Sequence, residues 1–212
     1  MAKAPATLTR ERILQQGVDL MSTSGLAGVT LGVLAQRTGI SKSGLFAHFG
    51  SREEVQLGLL EQSAHVARGV VVGPAMRATE GLSRLKAVVR NWFGWTAKAG
   101  LTGGCPVAAG MFELDDIESP VRERLKKMES EWRGLLGQLT RQAIEHGELR
   151  ANLDIDQFVW ELCGIYLSHH ASLRFVRDPR ADERAHRAFE ALVDRSRDAA
   201  GGRKATRRKK LS

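Results

Sequence analysis

From Thr9 onward the apolar residues Ile13, Leu14, Gly17, Val18, Leu20 and Met21 return to one side of a helical wheel, while Arg12, Gln15, Gln16, Asp19 and Ser22 take the other. This pattern predicts an amphipathic first helix ended by Gly25 and Gly28. Thr30 is a good N-cap for a short second helix through Leu31, Leu34 and Ala35, and Gly39 supplies a left-handed residue to stop it. Ser41 caps a third, very short helix to Phe49, closed by Gly50. Ser51 and Glu54 then form a capping box for a longer fourth helix that runs toward Val72 and is expected to stop by Pro74.

Helical spacing continues beyond the proline. Leu82, Leu85, Val89, Trp92 and Thr96 predict a fifth helix ending near Ala99, before the loosened stretch Gly100-Leu101-Thr102-Gly103-Gly104. Pro106 in a first-turn position opens a short sixth helix through Met111 and Phe112. Ser119-Pro120 begins a long seventh whose Val121, Leu125, Met128, Trp132, Leu135 and Leu139 step by four and three until His146-Gly147. Asp154 with Gln157 caps an eighth helix in which Phe158, Val159, Leu162, Cys163, Ile165, Tyr166, Leu167 and Leu173 leave little polar face, which points to burial against a partner molecule. Ala185, Ala188, Phe189, Leu192 and Val193 stripe a ninth. The expected class is all-α, with about nine helices and no confident strand.

Composition agrees with this class. The 212 residues include 25 Leu against 6 Ile and a single Tyr, favouring helix formers over strand formers, and the chain is long enough to bury a core without disulfide or metal staples. No apolar run reaches the 18 or so residues of a membrane span, and Met1-Ala2-Lys3-Ala4-Pro5 lacks a secretory signal's apolar stretch, so a soluble cytoplasmic protein with no membrane partner is expected. Cys105 and Cys163 are too few and too far apart for a disulfide framework or a C-x-x-C metal knuckle.

The net charge of +8 raises the prospect of a nucleic-acid partner, but its location matters. Arg203, Lys204, Arg207, Arg208, Lys209 and Lys210 follow a Gly201-Gly202 pair, and residues 1 to 202 carry 26 bases against 24 acids. The body is nearly neutral. The run reads as a disordered tail that can add salt-sensitive phosphate affinity without reading sequence, or as a simple solvated extension.

Two short helices joined by a tight Gly turn, Thr30 to Gly39 and Ser41 to Phe49, have the size and punctuation of a helix-turn-helix. The second buries Leu45 and Phe49, four apart, and leaves Lys42, Ser43, Gly44, Phe46 and His48 on other faces. Small residues at its start let the backbone approach base edges, and its N-terminal amides are natural phosphate ligands. Lys42 and Arg52 add cations beside them.

The run Gly28-Val29-Thr30-Leu31-Gly32-Val33-Leu34-Ala35-Gln36-Arg37-Thr38-Gly39-Ile40-Ser41-Lys42-Ser43-Gly44-Leu45-Phe46-Ala47-His48-Phe49-Gly50-Ser51-Arg52-Glu53-Glu54 resembles the DNA-binding signature of the TetR (tetracycline-repressor-like) family of bacterial transcriptional regulators. The resemblance covers residues 9 to about 60. It implies that Thr30 and Phe46 meet phosphates, that Lys42, Ser43 and His48 lie in or beside the major groove, and that Arg52 anchors the fourth helix to the DNA backbone; Ser41 and Gly44, at the start of the recognition helix, complete the candidate DNA-binding set. Two positions depart from the commonest pattern: Phe46 stands where a tyrosine is usual, removing a phenol-to-phosphate bond, and Arg52 replaces a usual lysine. The resemblance further implies a homodimer on a pseudo-palindromic double-stranded operator, with the last two long helices forming a four-helix interface.

Toward the C-terminus, Trp92, Trp95, Cys105, Met111, Phe112, Trp132, Tyr166 and His170 are apolar-to-amphipathic groups on neighbouring expected helices, and are candidates to line a cavity for a small-molecule effector. Plain core packing is the alternative for each. Gly103-Gly104-Cys105-Pro106 resembles a segment recurrent in some of these regulators. A thiol near a helix N-terminus can be acidified, which makes Cys105 a candidate redox sensor. His169 and His170 are adjacent and so point to different helix faces, which argues against a shared metal; no metal and no cofactor are expected. An enzyme would have to use Cys105 as nucleophile with His169 or His170 as base, without a third group in evidence.

The expected organisation is a flexible arm over 1–8, a helix-turn-helix domain over 9–55, a helical ligand-binding and dimerisation domain over 56–200, and a basic tail over 201–212. The expected function is a ligand-responsive regulator, a repressor, and not an enzyme. Its competitor is a non-specific nucleic-acid binder relying on the tail.

Overall fold

A computed structural model describes residues 5 to 197, with side chains from Arg10 onward. Ten α-helices of four residues or more, and no strand, are found among the described residues. They are α1 (Pro5–Gly28), α2 (Leu31–Thr38), α3 (Lys42–Phe49), α4 (Arg52–Ala67), α5 (Leu82–Trp92), α6 (Trp95–Lys98), α7 (Pro106–Glu113), α8 (Pro120–Glu145), α9 (Ile155–Ala171) and α10 (Ala181–Arg195). The basic tail and residues 1 to 4 lie outside the described residues.

The capping chemistry acts as the residue types predict. Thr30, Ser41, Ser51, Ser119 and Asp154 each accept a hydrogen bond from the backbone N–H three residues on. Gly39 closes α2 at φ 70°, in the left-handed region where a side chain would be strained.

Three boundaries differ from the sequence reading. Helix α1 already includes Pro5, whose fixed φ and missing N–H are tolerated in a first turn. Pro74 does not stop the fourth helix, because α4 continues through a π-turn, Arg68–Val72, in which the Gly73 N–H donates to the Arg68 carbonyl. Pro74 then sits in the first turn of the segment Gly73–Ala75, where the missing N–H costs nothing. The expected single fifth helix is two. Phe93 turns extended and Gly94 left-handed at φ 70°, so Trp92 ends α5 and Trp95 begins α6, and the two tryptophans do not lie three apart on one helix. That break accounts for ten helices rather than nine.

A continuous core runs from Ile13, Val18, Leu34, Leu45 and Leu59 at the N-terminal end to Leu85, Val88, Leu136, Phe158, Leu162 and Phe189. Helix α1 packs on α2, α4 and α7; α8 packs on α4, α5, α7 and α9; and α9 pairs with α10. Helices α4 and α7 therefore bridge the two ends of the molecule. Helix α9 buries Phe158, Leu162 and Tyr166 but leaves Trp160 65% exposed, and after its own π-turn, Ser172–Val176, Phe175 is 89% exposed. Its expected all-round burial is not met within one chain.

Candidate nucleic-acid interface and internal cavity

Helices α2 and α3 cross at the Gly39 turn, and the buried Leu34, Leu45 and Phe49 fix their packing against α1 and α4. Arg10 of α1 lies over the Phe49 ring, 5.0 Å from its centroid. Ser41 accepts from the Gly44 N–H at 3.1 Å and its hydroxyl is 3.1 Å from that of Ser43. Ser41, Lys42, Ser43 and Phe46 are exposed along α3, and Phe46 is 58% open to solvent. Gly44 is half-buried, and a Cβ there would meet Ile40 Cγ2 at 3.0 Å. His48 is half-buried with its ring edge toward Phe49 at 6.4 Å. Thr30 stands at the start of α2, exposed.

Arg52 is placed differently from the expectation of a pure DNA anchor. Its Nε donates to the Val29 carbonyl at 3.2 Å and a terminal nitrogen donates to the Ala27 carbonyl at 2.8 Å. Gln56, one turn on, donates to the Leu26 carbonyl at 2.8 Å. From the other side, the Glu113 carboxylate at the end of α7 accepts from the N–H groups of Leu26, at 3.2 Å, and Ala27, at 2.9 Å. The segment joining α1 to α2 is thus held by its carbonyls from α4 and by its amides from α7. Gly25 makes this possible: its φ of 69° turns the chain, and a Cβ there would meet Glu113 Oε1 at 2.2 Å.

A second tie lies beside the first. Asp19 of α1 accepts from the Thr102 N–H and hydroxyl, both at 2.8 Å, and from Arg37 at 2.8 Å. The Thr102 amide chiefly, opposed by desolvation, holds the Asp19 carboxyl below the usual carboxylate range. Gly103 and Gly104 follow with bonds to Ser22. Gly103 is required because a Cβ would meet the Ser22 carbonyl oxygen at 1.9 Å.

An internal cavity of about 210 Å³ lies between α4 with its π-turn, α5, α7, α8 and α9. Of the sequence candidates, Trp92, Trp95, Cys105, Met111, Trp132 and Tyr166 line it. Trp92 stacks on Tyr166 at 4.0 Å and meets Trp132 edge-on at 4.9 Å, and Trp95 Nε1 donates to the Tyr166 hydroxyl at 3.1 Å. Trp92, ending α5, and Trp95, opening α6, reach the same space from either side of the break at Phe93-Gly94. Burial chiefly, with the neighbouring Cys105 thiol, pushes the Tyr166 phenol well above its ordinary value. Burial pushes the Cys163 thiol, also in the wall, up to about 11.

Two candidates fall outside. Phe112 is 64% exposed, because α7 turns Ala108 and Met111 to the cavity and the next residue, about 100° around the helix, faces away. His170 borders a separate small hollow with Gly104 and Arg174, and burial, with Arg174 and His169 beside it, depresses its pKa. His169 is buried with Nε2 at 2.7 Å from Asp182 of α10. Of the groups named for an enzyme, the Cys105 thiol lies in the cavity wall beside Tyr166. No group of three His, Cys, Asp or Glu suited to a metal ion occurs among the described residues, and no described helix is long and apolar enough to cross a membrane.

Sequence reading missed Arg68, Glu129 and Glu131 in the cavity wall and the Glu113 clamp. Polar residues on helices that also carry an apolar stripe read as solvated faces, and no local signal tells which of them borders a cavity.

Residues 13–58 match the family model for bacterial regulatory proteins of the tetR family, and residues 81–189 match the tetracyclin repressor-like C-terminal domain. The chain belongs to the TetR family. Members of this family are DNA-binding transcriptional regulators, and the helix-turn-helix of α2 and α3 is the part that defines them. Among solved structures, this regulator is similar to a TetR transcriptional regulator from Chloroflexus aurantiacus, with a TM-score of 0.78 and 25% identity, covering 89% of this chain and 94% of that one. The fold is shared with AibR, solved in complex with isovaleryl coenzyme A and operator DNA, at a TM-score of 0.68 and 18% identity over 87% of this chain and 98% of that one. Among curated proteins, it is 26% identical over 138 residues to the nucleoid occlusion factor SlmA of Vibrio campbellii, spanning 64% of this chain and 70% of that protein.

Proposed function

We propose that this TetR-family regulator binds a pseudo-palindromic operator as a homodimer and acts as a repressor released by a small apolar or amphipathic molecule entering the cavity. One observation carries the reading. Helix α7 lines the cavity with Ala108 and Met111 and, at its end, holds the amides of the α1–α2 junction through Glu113. An occupant that shifts α7 acts directly on the base of the helix-turn-helix.

In this reading the unit over 9–55 reads DNA, the unit over 56–200 binds the effector and dimerises, and the protein works in the cytoplasm on the nucleoid. Lys42, Ser43 and His48 lie in or beside the major groove, with Ser41 and Gly44 at the start of α3 next to them, and Thr30, Phe46 and Arg52 border the phosphates, one of which Lys42 also reaches. Arg52 does so with a guanidinium already oriented by Ala27 and Val29. Dimerisation is supported by the exposed face of α9, where Trp160 stands beside Gly164, a position open to close helix approach. AibR, solved with both a ligand and an operator, supports the pairing of the two functions on this fold. The likeness to SlmA supports a place at the nucleoid.

The test is selection of bound duplexes from a random pool by the full chain, followed by footprinting. A two-fold symmetric site with half-site centres about one helical turn or slightly more apart is expected. Binding that unrelated duplex competes away equally well would favour a non-specific binder instead.

A further inference from the structure

The polar groups of the cavity wall differ in whether they are already partnered. The Glu129 carboxylate takes two donors from Arg133, at 2.7 Å each. Glu131 lies 3.6 Å from Arg124, which is also paired with Glu61. The Arg68 side chain makes no hydrogen bond or ion pair with any described residue, and its charge, like that of Lys127, acts only at longer range on Glu61. Four cations, Arg68, Arg124, Lys127 and Arg133, therefore face three carboxylates, Glu61, Glu129 and Glu131. The balance is positive by one charge; Arg68 and Lys127 are the two cations without a direct partner, and of these only Arg68 lines the cavity.

Position and the remaining polar atom agree. Among the residues lining the cavity only Arg68 and Glu131 are exposed, which puts the mouth between the π-turn of α4 and helix α8. Trp132 Nε1, in the wall, is buried with no acceptor. The unpartnered groups are thus donors, one at the mouth and one in the wall, and apart from Ser63, the paired Glu129 and Glu131 and the Tyr166 hydroxyl the lining is aromatic, aliphatic or sulfur. A space of about 210 Å³ lies below the roughly 300 to 1,000 Å³ usual for sites of drug-sized ligands, and so suits a small organic molecule.

We infer that the cavity takes a small organic monocarboxylate, with an aryl-alkyl or medium-chain aliphatic body among Trp92, Trp132 and Met111 and its carboxylate on Arg68. The inference rests on the reading of this cavity as the effector site. A guanidinium offers a carboxylate two parallel donors, and an isosteric amide fills the same space without the charge, so charge and shape are separable. The head group would also sit on the π-turn, a wide turn that can exchange its bonding register with the α-helix on either side.

The test is calorimetric titration of the full-length protein without DNA, using 4-phenylbutyrate and decanoate against their primary amides. Each carboxylate is expected to bind at least about tenfold more tightly than its amide, as charge-assisted pairing requires. In Arg68→Gln the preference should fall below about threefold with amide binding retained, and Arg68→Lys should keep the preference. Arg68 has no partner in the fold to lose, and circular dichroism of both variants checks that they fold. Amides equal to carboxylates in the wild type, a preference surviving Arg68→Gln, or no binding of any of the four compounds would overturn the inference. So would decanoyl coenzyme A binding tenfold more tightly than decanoate, since a thioester brings no carboxylate to Arg68. Operator release is read separately. A carboxylate that binds through Arg68 without releasing the operator supports this assignment while refuting the regulatory reading, and an amide that binds as tightly as its acid and releases the operator does the reverse.

Discussion

Replacing Glu113 by Ala removes both acceptors from the α1–α2 junction while leaving the cavity wall and the recognition helix untouched. The carboxylate accepts two backbone N–H bonds, at 3.2 and 2.9 Å, one part-buried and one exposed. Hydrogen bonds to a charged acceptor contribute about 1.5 to 3 kcal/mol when shielded, and exposure of one donor lowers that bond toward about 0.5 to 1. The pair is therefore worth about 2 kcal/mol. In a chain of this length that corresponds to a fall of about 4 to 8 °C in Tm. Gln at the same position keeps one acceptor and brings an NH₂ toward backbone donors, so it should lie between Ala and the wild type. The functional consequence is separate. If α7 transmits occupancy of the cavity to the helix-turn-helix, the ratio of operator affinities with and without effector, typically 5- to 150-fold for such coupling, should collapse toward one in Glu113→Ala. Thermal melts give the first number and operator titration by fluorescence anisotropy the second. An unchanged Tm means the clamp is not formed in solution; a lowered Tm with full induction means that coupling runs through α4 and that α7 is only structural.

Lys42→Ala should flatten the dependence of log K on log salt by about 0.9 with little change in Tm, whereas Arg52→Ala should also cost about 2 kcal/mol, because the Ala27 and Val29 carbonyls lose their donors. An Arg52→Ala melt matching the wild type would discount the staple. Burial chiefly depresses the pKa of both His170 and His186. The unfolded chain then takes up these protons first as pH falls through about 6.5, so stability should be complete above that value and decline below it. His170→Asn with His186→Asn should flatten this part of a Tm-against-pH curve, and a slope equal to the wild type would refute the assignment. Trp160→Glu puts a charge at the proposed two-fold interface and should give a monomer in sedimentation velocity that no longer binds the symmetric operator; a stable dimer would move the interface elsewhere.

Legibility in the sequence tracks the range of the interaction. Caps are local, and Thr30, Ser41, Ser51, Ser119 and Asp154 can each be recognised from the residue and its next three neighbours. The helix-turn-helix is a chain of such local signals, so it is readable throughout. The split between α5 and α6 is not, since Phe93-Gly94 keeps the apolar spacing and a lone glycine inside a helical pattern is usually tolerated. Pro74 misleads for the opposite reason: the π-turn before it depends on packing that no short window contains. Of the cavity candidates, large aromatic and sulfur side chains stand out because they are rarely placed at random on helices. Arg68 and Glu131 do not, because a charged residue borders a cavity only through tertiary position. Glu113 belongs to an acidic stretch with nothing to distinguish it from Asp115 or Asp116 except the lack of room for a Cβ beside it at Gly25, 88 positions earlier.

The energetics of the junction bear on whether a small molecule can operate it. On the carbonyl side Arg52 and Gln56 make three bonds from α4, and on the amide side Glu113 makes two from α7. Each contributes about 1 kcal/mol net. A coupling free energy of about 1 to 3 kcal/mol thus corresponds to the loss of one to three of the five, without unfolding any helix. The geometry favours exchange over rupture. Arg68 at the cavity mouth and Arg52 at the junction are separated by about 24 Å of one helix, at 1.5 Å per residue, so an occupant that rotates or slides α4 at its π-turn moves the carbonyl-side donors directly. The same occupant pressing on Met111 and Ala108 moves the amide-side acceptor through α7. Because the two helices grip opposite polarities of the same short segment, unequal motion of the two shears the junction. A ligand that moved both together would carry the helix-turn-helix as a rigid body and leave the clamp intact. Operator affinity in the double variant Glu113→Ala/Gln56→Ala therefore separates shear from rigid-body motion: shear predicts an operator affinity that no longer responds to effector, and rigid-body motion predicts a lowered Tm with the response preserved.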